Sequence, residues 1–109
     1  MKIVENAFIP PKRFLAINLF GVIFIKYGNK NMVNERVIRH ESIHTKQIKE
    51  LLYIPFYFWY VLEWLVKSIK YGMANSYYNI SFEREAYSND NNMDYLKNRK
   101  LFGFLKYVF

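Results

Sequence analysis

Residues 34–52 read NERVIRHESIHTKQIKELL, and this stretch decides the fold. Asn34 is a favourable N-cap residue, and Glu35 follows it in what would be the first helical turn. The pattern predicts a helix from Asn34 through about Ile54. Apolar residues, together with two histidines and a glutamine, recur along it at intervals of three and four, the spacing of one helix face. They are Val37, His40, Ile43 or His44, Gln47 or Ile48, and Leu51.

The segment before this helix has the composition of β-strands. Residues 12–27 (KRFLAINLFGVIFIKY) are rich in β-branched and aromatic side chains on both sides of Gly21. Asn18 and Gly21 indicate a break, so we expect a short hairpin or two successive strands at about 14–19 and 22–27. The GNKN sequence that follows has the composition of a turn.

The segment directly after the first helix predicts a second one. Pro55 either kinks the first helix or starts a new one. Residues 56–70 are apolar nearly all round, which predicts a buried helix. We expect Glu63, an acid inside this apolar segment, to be paired or to reach solvent, because an unpaired buried carboxylate is unfavourable.

The last third of the chain predicts a loop and two shorter helices. Residues 72–79 have the composition of a loop, and Ser81 can cap a further helix that runs through about Ser88. Residues 93–106 predict a short amphipathic helix whose basic side chains, Arg99 among them, lie at the surface.

The composition limits both the fold and the chemistry. The chain has 109 residues, of which 52% are hydrophobic, which fits a single domain over residues 1–109 with a packed core. We expect an α+β fold, with a short N-terminal hairpin or two strands packed on a bundle of three to four helices. The absence of cysteine excludes disulfides, thiolate zinc fingers, iron–sulfur clusters and a cysteine nucleophile.

His40, Glu41 and His44 form a His-Glu-x-x-His pattern within the first predicted helix. Residues four positions apart lie about 40° apart on one helix face, so both imidazoles can reach one Zn²⁺. Glu41 points about 100° away from His40 and can accept a proton from a metal-activated water. The spacing predicts His40 and His44 as metal ligands and Glu41 as general base. Gln47, on the same face as His40, can orient a ligand or form a helix–helix contact.

A catalytic zinc site needs a third protein ligand, and the chain has no other histidine and no cysteine. The third ligand must therefore be Asp or Glu. Glu50 lies on the far side of the same predicted helix. Glu63 would lie about 28 Å along the axis from His44 if that helix continued unbroken. The acids of the later helix are the better candidates.

Glu83 and Glu85 both lie on that later helix, which can pack back over the first. They are about 200° apart around its axis, so only one can face the metal. Ala86 and Tyr87 share the face of Glu83, where a small residue allows close helix approach and a hydroxyl can bond a ligand histidine. Glu83 is the preferred third ligand, and Glu85 is the alternative.

His40-Glu41-x-x-His44 followed by the segment 83–87 (EREAY) resembles the gluzincin zinc metallopeptidases, above all their single-domain forms, the minigluzincins. The resemblance covers about residues 14–90. It implies His40, His44 and Glu83 as ligands of Zn²⁺ and Glu41 as general base. It also implies that residues 20–27 form a rim strand whose edge binds an extended peptide.

The resemblance includes one departure and one open assignment. Many relatives have Asp where this chain has Tyr87, and no motif identifies the donor that stabilises the transition state. Tyr77, Tyr78 and Tyr87 are the candidates for that donor.

Two functions remain at this stage. The first is a zinc-dependent metallopeptidase that hydrolyses a peptide or protein substrate with a metal-activated water and Glu41 as the base. The second is a metal-binding or peptide-binding module without hydrolysis. The variant Glu41→Gln distinguishes them, because it should abolish hydrolysis and leave zinc binding nearly intact.

The net charge and the aromatic residues of the chain indicate which binding partners to expect. The formal net charge is +7, but the basic residues are scattered and no nucleic-acid motif is present, so we expect no nucleic-acid binding. The aromatic helix 51–66 predicts core packing or a homo-oligomer interface. We expect a cytoplasmic protein, because the first residues do not resemble a signal peptide, with attachment to a membrane surface as an alternative.

Overall fold

The computed structural model describes residues 3–9 and 15–108 of the chain. The strands are β1 (Ile3–Asn6), β2 (Ala16–Leu19) and β3 (Val22–Lys26). The helices are α1 (Glu35–Glu50), α2 (Ile54–Tyr71), α3 (Met73–Asn79), α4 (Ser81–Asn89) and α5 (Tyr95–Asn98). Short 3₁₀ segments occupy Lys30–Met32 and Gly103–Tyr107. The expected α+β class is confirmed.

The three strands form one sheet in the order β1-β3-β2. β2 and β3 pair antiparallel through a two-residue turn at Phe20 and Gly21, both with positive φ, so the predicted hairpin is confirmed. Phe14, the expected first residue of its first strand, lies outside the described residues. The third strand, β1, was not predicted. It is only four residues long and pairs in parallel with β3, a contact that no local pattern reveals.

The expected rim strand is wrong in its position. β3, which lies within residues 20–27, is hydrogen-bonded on both sides, to β1 and to β2. The edge of the sheet that remains unpaired among the described strands, on the helix side, belongs to β2. Asn18 of this strand is buried against α1, where its side-chain amide donates to the Glu41 carbonyl oxygen at 2.9 Å.

The first helix begins as predicted and ends slightly earlier. The Asn34 side chain accepts a hydrogen bond from the Val37 backbone N–H, which confirms it as the N-cap. α1 ends at Glu50, before the expected Ile54. The reversal into α2 passes through Leu52 and Tyr53, both of which have positive φ. This turn lets the two helices fold against each other as separate elements.

The core forms where α1, α2, α4 and the C-terminal segment meet. Phe82 of α4 is fully buried at its centre, with its ring centroid 4.5 Å from that of Phe56 and 4.7 Å from that of Phe104. The aromatic side chains of α2 that pack against this cluster are partly buried: Tyr57, Trp59, Tyr60 and Trp64. Most of the aromatic residues of α2 therefore face the core. The prediction that residues 56–70 form a buried helix is wrong, because the aliphatic residues of one face, Leu62 and Ile69 among them, are more than half exposed.

The loop predicted over residues 72–79 is wrong, because most of it is the helix α3. Gly72, with a φ of 83°, ends α2 and lets the chain start a new helix at once. Its carbonyl oxygen accepts the Ser76 backbone N–H at 2.9 Å, and the Ser76 hydroxyl contacts that of Ser68 in α2. The polar and aromatic composition suggested a loop, while these contacts with α2 stabilise a helix.

The capping role predicted for Ser81 is also wrong. Its side chain makes no cap hydrogen bond to its own helix. Instead the Glu63 carboxylate of α2 accepts both the Ser81 backbone N–H, at 2.9 Å, and the Ser81 hydroxyl. Lys67 lies 2.7 Å from the same carboxylate, so Glu63 is paired, as expected. A carboxylate at a helix N-terminus is a favourable arrangement, and it joins α2 to α4.

The continuous helix predicted over residues 93–106 is broken into α5 and a 3₁₀ segment. Phe102, in the left-handed conformation, separates the two. Arg99 is not at the surface, since its side chain is only 4% exposed. It bonds both carboxylate oxygens of Glu50 at 2.9 Å and also contacts Glu85. The break turns Arg99 toward the interior, where two acids hold it.

Among the described residues, no helix is both long and apolar enough to span a membrane.

The burial of Phe82 generates a prediction for stability. Phe82→Ala should lower the free energy of unfolding by about 3–5 kcal/mol, because it leaves a cavity at the centre of the core. Phe58→Ala, at a ring 75% exposed on α2, should change it by no more than about 0.5 kcal/mol. Urea unfolding followed by circular dichroism measures both values, and equal losses would contradict the assigned core.

Candidate metal centre

The histidine pair lies on the buried face of α1. His40, Glu41 and His44 are each less than a tenth exposed. The Nε2 atoms of the two histidines lie 3.2 Å apart, and the ring planes meet at 79°. The helical spacing therefore places two imidazole nitrogens at one point, as the sequence predicted.

α4 brings a carboxylate to the same point. The Oε1 atom of Glu83 lies 3.2 Å from His40 Nε2 and 3.1 Å from His44 Nε2. Glu85 is turned away and contacts Gln47 and Arg99 instead. Of the two acids considered from the sequence, the structure places Glu83 and not Glu85 beside the histidines. The other oxygen of Glu83 accepts the Tyr60 hydroxyl at 2.8 Å.

The second nitrogen of each imidazole faces an oxygen acceptor. His40 Nδ1 lies 2.9 Å from an Asp90 carboxylate oxygen, and His44 Nδ1 lies 2.8 Å from the Gln47 amide oxygen. An acceptor at this position requires the hydrogen of a neutral imidazole to sit on Nδ1, which leaves the lone pair on Nε2. Both lone pairs then point toward Glu83 Oε1.

The Gln47 amide is oriented by its own contacts. Its nitrogen donates to the Phe82 carbonyl oxygen at 3.0 Å and to Glu85 at 2.9 Å, so its oxygen must face His44. Glu85 is in turn held by Arg99 and by the Tyr95 hydroxyl. A chain of buried polar contacts thus runs from the C-terminal segment to one histidine. Gln47 thus makes both contacts considered from the sequence, one with a histidine and one across the α1–α4 interface, and the contacts of Glu85 direct it away from the histidines.

The three converging atoms fit a tetrahedral cation. Zn²⁺ with bonds of about 2.0–2.1 Å to its ligands holds the ligand atoms about 3.3 Å apart. The separations between His40 Nε2, His44 Nε2 and Glu83 Oε1 are 3.1–3.2 Å. Two imidazoles and one carboxylate are also a known ligand set of catalytic zinc. The donor set and its separations are therefore compatible with a bound metal ion of this size.

Electrostatics at the site favour positive charge between these atoms. Burial lowers the pKa of His44, but the adjacent Glu83 carboxylate outweighs this and raises it to about 10. Burial alone would raise the pKa of Glu83, but the two histidines hold it well below its usual range. The carboxylate stays ionised and attracts a cation, which can be a proton or a metal ion.

Glu41 lies beside the histidines on the cleft side. His40, Glu41 and His44 each offer a ligand atom within 4.8 Å of the others. Burial raises the pKa of Glu41, while the neighbouring histidines oppose that rise. A carboxylate close to the site with a raised pKa has the properties of a general base that can also release its proton.

The site opens into a cleft of about 1240 Å³. One wall is the β2 strand, and the opposite wall comprises side chains of α2 and α3. Tyr77 and Tyr87 line the same cleft as the histidines, with their hydroxyl oxygens 3.2 Å apart. The wall residues from α2 and α3 are Phe56, Tyr57, Tyr60, Val61, Trp64, Met73, Ala74, Tyr77 and Tyr78. The cleft is large enough for a short peptide segment.

The hydrogen bond expected from Tyr87 to a ligand histidine is wrong. The Tyr87 hydroxyl pairs with Tyr77, and its ring packs edge-on against the His40 ring at 4.4 Å. Asp90 accepts from His40 in its place. Asp90 lies seven residues after Glu83, which is the same face two turns later, so this spacing was a signal that could have identified it. Tyr60 had no comparable signal within the aromatic run.

No protein-family model matches the chain, and no curated protein or solved structure is significantly similar to it. The assignment of the site therefore depends on its residues and geometry.

Asp90 generates the prediction from this site. Asp90→Ala should weaken zinc binding by about 10–100-fold, because the His40 ring loses the acceptor that fixes its tautomer and orientation. Competition with a chromophoric chelator measures the affinity. Asp94→Ala removes an exposed acid nearby and should leave it unchanged. Asp90→Asn keeps an acceptor oxygen and should restore much of the loss. Equal affinities for Asp90→Ala and Asp94→Ala would show that Asp90 does not support the ligand.

Proposed function

We propose that this protein is a zinc-dependent peptidase with His40, His44 and Glu83 as metal ligands and Glu41 as general base. One observation carries the proposal: three ligand-type atoms from two different helices converge within 3.1–3.2 Å. Glu83 is 43 and 39 residues from the two histidines along the chain, so its placement there is a property of the fold.

Zinc, when bound, supplies Lewis-acid chemistry that polarises a carbonyl group and lowers the pKa of water. Glu41 accepts a proton from the attacking water, whose oxygen bonds to the carbonyl carbon of the peptide. As the carbon–nitrogen bond breaks, Glu41 returns that proton to the leaving amine. The raised pKa of Glu41, caused mainly by burial, suits a group that must both take and give a proton.

Tyrosine hydroxyls of the cleft are suited to stabilise negative charge that develops on the substrate oxygen. Burial raises the pKa of both Tyr77 and Tyr87, so both hydroxyls stay protonated and can donate. The Tyr87 ring packs against the His40 ring, and the Tyr77 hydroxyl lies 3.2 Å from the Tyr87 hydroxyl. The Tyr60 hydroxyl is bonded to Glu83 and is better placed to orient that ligand. We propose Tyr77 or Tyr87 as the donor.

The β2 strand supports binding of an extended peptide. Residues Ala16 to Leu19 of this strand line the cleft. The Tyr57 hydroxyl contacts the Asn18 carbonyl oxygen at one end of the edge away from β3, and no other described strand pairs with that edge. An unpaired strand edge offers backbone donors and acceptors to an incoming strand. The substrate class proposed is therefore a peptide or an extended protein segment. We propose a cytoplasmic location, which cell fractionation with tagged protein would test.

Metal content and hydrolysis together test the assigned roles. Wild-type protein should carry about one zinc per chain and hydrolyse denatured casein, and a chelator should abolish the activity. Glu41→Gln should keep its zinc and lose activity by about a hundredfold or more, because only the base is removed. Glu83→Ala should lose both, because it removes a ligand.

The matched control is Glu35→Ala, whose side chain is 88% exposed at the start of α1. It should leave zinc content and hydrolysis unchanged. Equal zinc in wild type and Glu83→Ala would reject Glu83 as a ligand. Zinc binding with no hydrolysis by any preparation would instead favour a metal-binding module.

The strand edge gives a separate prediction. In a two-residue hairpin the pairs Leu19–Val22 and Ile17–Phe24 carry the hydrogen bonds, so the Ala16 N–H points to the open edge. Ala16→Pro removes that donor without affecting the pairing with β3. We expect a several-fold higher KM for casein with nearly unchanged kcat and zinc content. An unchanged KM would contradict peptide binding at this edge.

A further inference from the structure

We propose that the outer face of α2 is a membrane-binding surface that seats the protein on an anionic lipid bilayer without crossing it. The outer face comprises Phe58, Leu62, Leu65, Val66 and Ile69, all more than half exposed. This inference is independent of the proposed peptidase activity, because it concerns the opposite face of the helix that lines the cleft.

The exposed residues form one stripe and are all apolar. At 100° per residue, these five positions occupy an arc of about 100°, and α2 is about 27 Å long. Ile69 is 91% exposed and Phe58 is 75% exposed. No charged or hydrogen-bonding side chain interrupts this arc. Scattered exposed apolar residues are ordinary, but a continuous stripe on one helix marks an interaction surface.

The helix cannot rotate to hide this stripe, because its other face is fixed. Phe56 is buried in the core against Phe82. Glu63 binds the first residue of α4 through two hydrogen bonds and is paired with Lys67. Inner aromatic contacts and this buried ionic group hold one orientation of α2. The aliphatic stripe therefore stays directed outward.

The rest of the surface is more basic than the net charge suggests. Five of the nine acidic residues are buried: Glu41, Glu63, Glu83, Glu85 and Asp90. A sixth, Glu50, is paired with Arg99 and has a side chain only 8% exposed. Among the residues whose burial the structure describes, six lysines are exposed: Lys46, Lys49, Lys70, Lys97, Lys100 and Lys106. Positive charge is thus left outside while most negative charge is inside.

The charge of the protein surface indicates that the outer face contacts a bilayer and not a second copy of the chain. Two copies would bring together two surfaces with the same excess of positive charge, which opposes association. An anionic bilayer attracts exposed lysines and accepts an apolar helix face at the level of its headgroups. Lys70 lies at the border of the stripe, where it can reach lipid phosphates. The combination fits an interfacial helix on anionic lipid.

Flotation of full-length protein with vesicles tests the proposal. Vesicles of phosphatidylcholine with about one-third phosphatidylglycerol should carry the protein upward at low salt, and high salt should weaken binding. Leu62→Gln/Ile69→Gln should bind at least tenfold more weakly, because two apolar side chains no longer enter the bilayer. Pure phosphatidylcholine vesicles should bind the wild type more weakly than anionic ones.

The matched control is Met32→Gln/Met93→Gln, two exposed apolar residues outside the outer face. It should float as the wild type does. If the double variant does not fold, the single variant Ile69→Gln, at the most exposed position, takes its place. It should show a smaller loss of vesicle binding. Equal flotation of all variants, or no binding by the wild type, would overturn the proposal. So would a dimeric wild type in sedimentation that Leu62→Gln/Ile69→Gln converts to monomer, because the face would then cover a second copy.

Discussion

The contact of the Glu83 carboxylate with the two imidazoles of α1 is the constraint on which the candidate site depends. A buried carboxylate is unfavourable unless it is paired, so α4 must pack with Glu83 directed at His40 and His44. The packing of Phe82 in the core fixes that rotation, since adjacent residues on a helix point in different directions. The hydrophobic core and the polar centre therefore impose the same placement of α4. Such agreement between the packing of the core and the pairing of polar groups is typical of a sequence that specifies one structure.

Local signals were sufficient for the elements that contain most of the site. Asn34 and the spacing after it predicted α1 correctly, and Gly21 predicted the hairpin. The choice between Glu83 and Glu85 also agreed with the placement in the structure, because helical geometry allowed only one of them to face the histidines. Their roles as ligand and alternative remain predictions until metal binding is measured. In these cases the residues that determine the structure lie within one or two helical turns of each other.

The errors share a physical origin in contacts between distant residues. Arg99 was expected at the surface because its neighbours are polar and basic, yet two acids from α1 and α4 hold it inside. Ser81 was expected to cap its helix, yet an acid of α2 takes that role. The α3 helix was missed because its stability comes from packing on α2 more than from its own sequence. Each of these contacts joins residues that no short window of sequence contains.

The buried polar chain from Arg99 through Glu85 and Gln47 to His44 has a consequence for how the protein is made. Chains emerge from the ribosome N-terminus first, so both histidines and Glu83 leave it before Arg99 does. Until Arg99 arrives, the Glu85 carboxylate that accepts from the Gln47 amide lacks its cation. The groups that would bind the metal are thus synthesised before the cation that completes the buried polar chain behind His44.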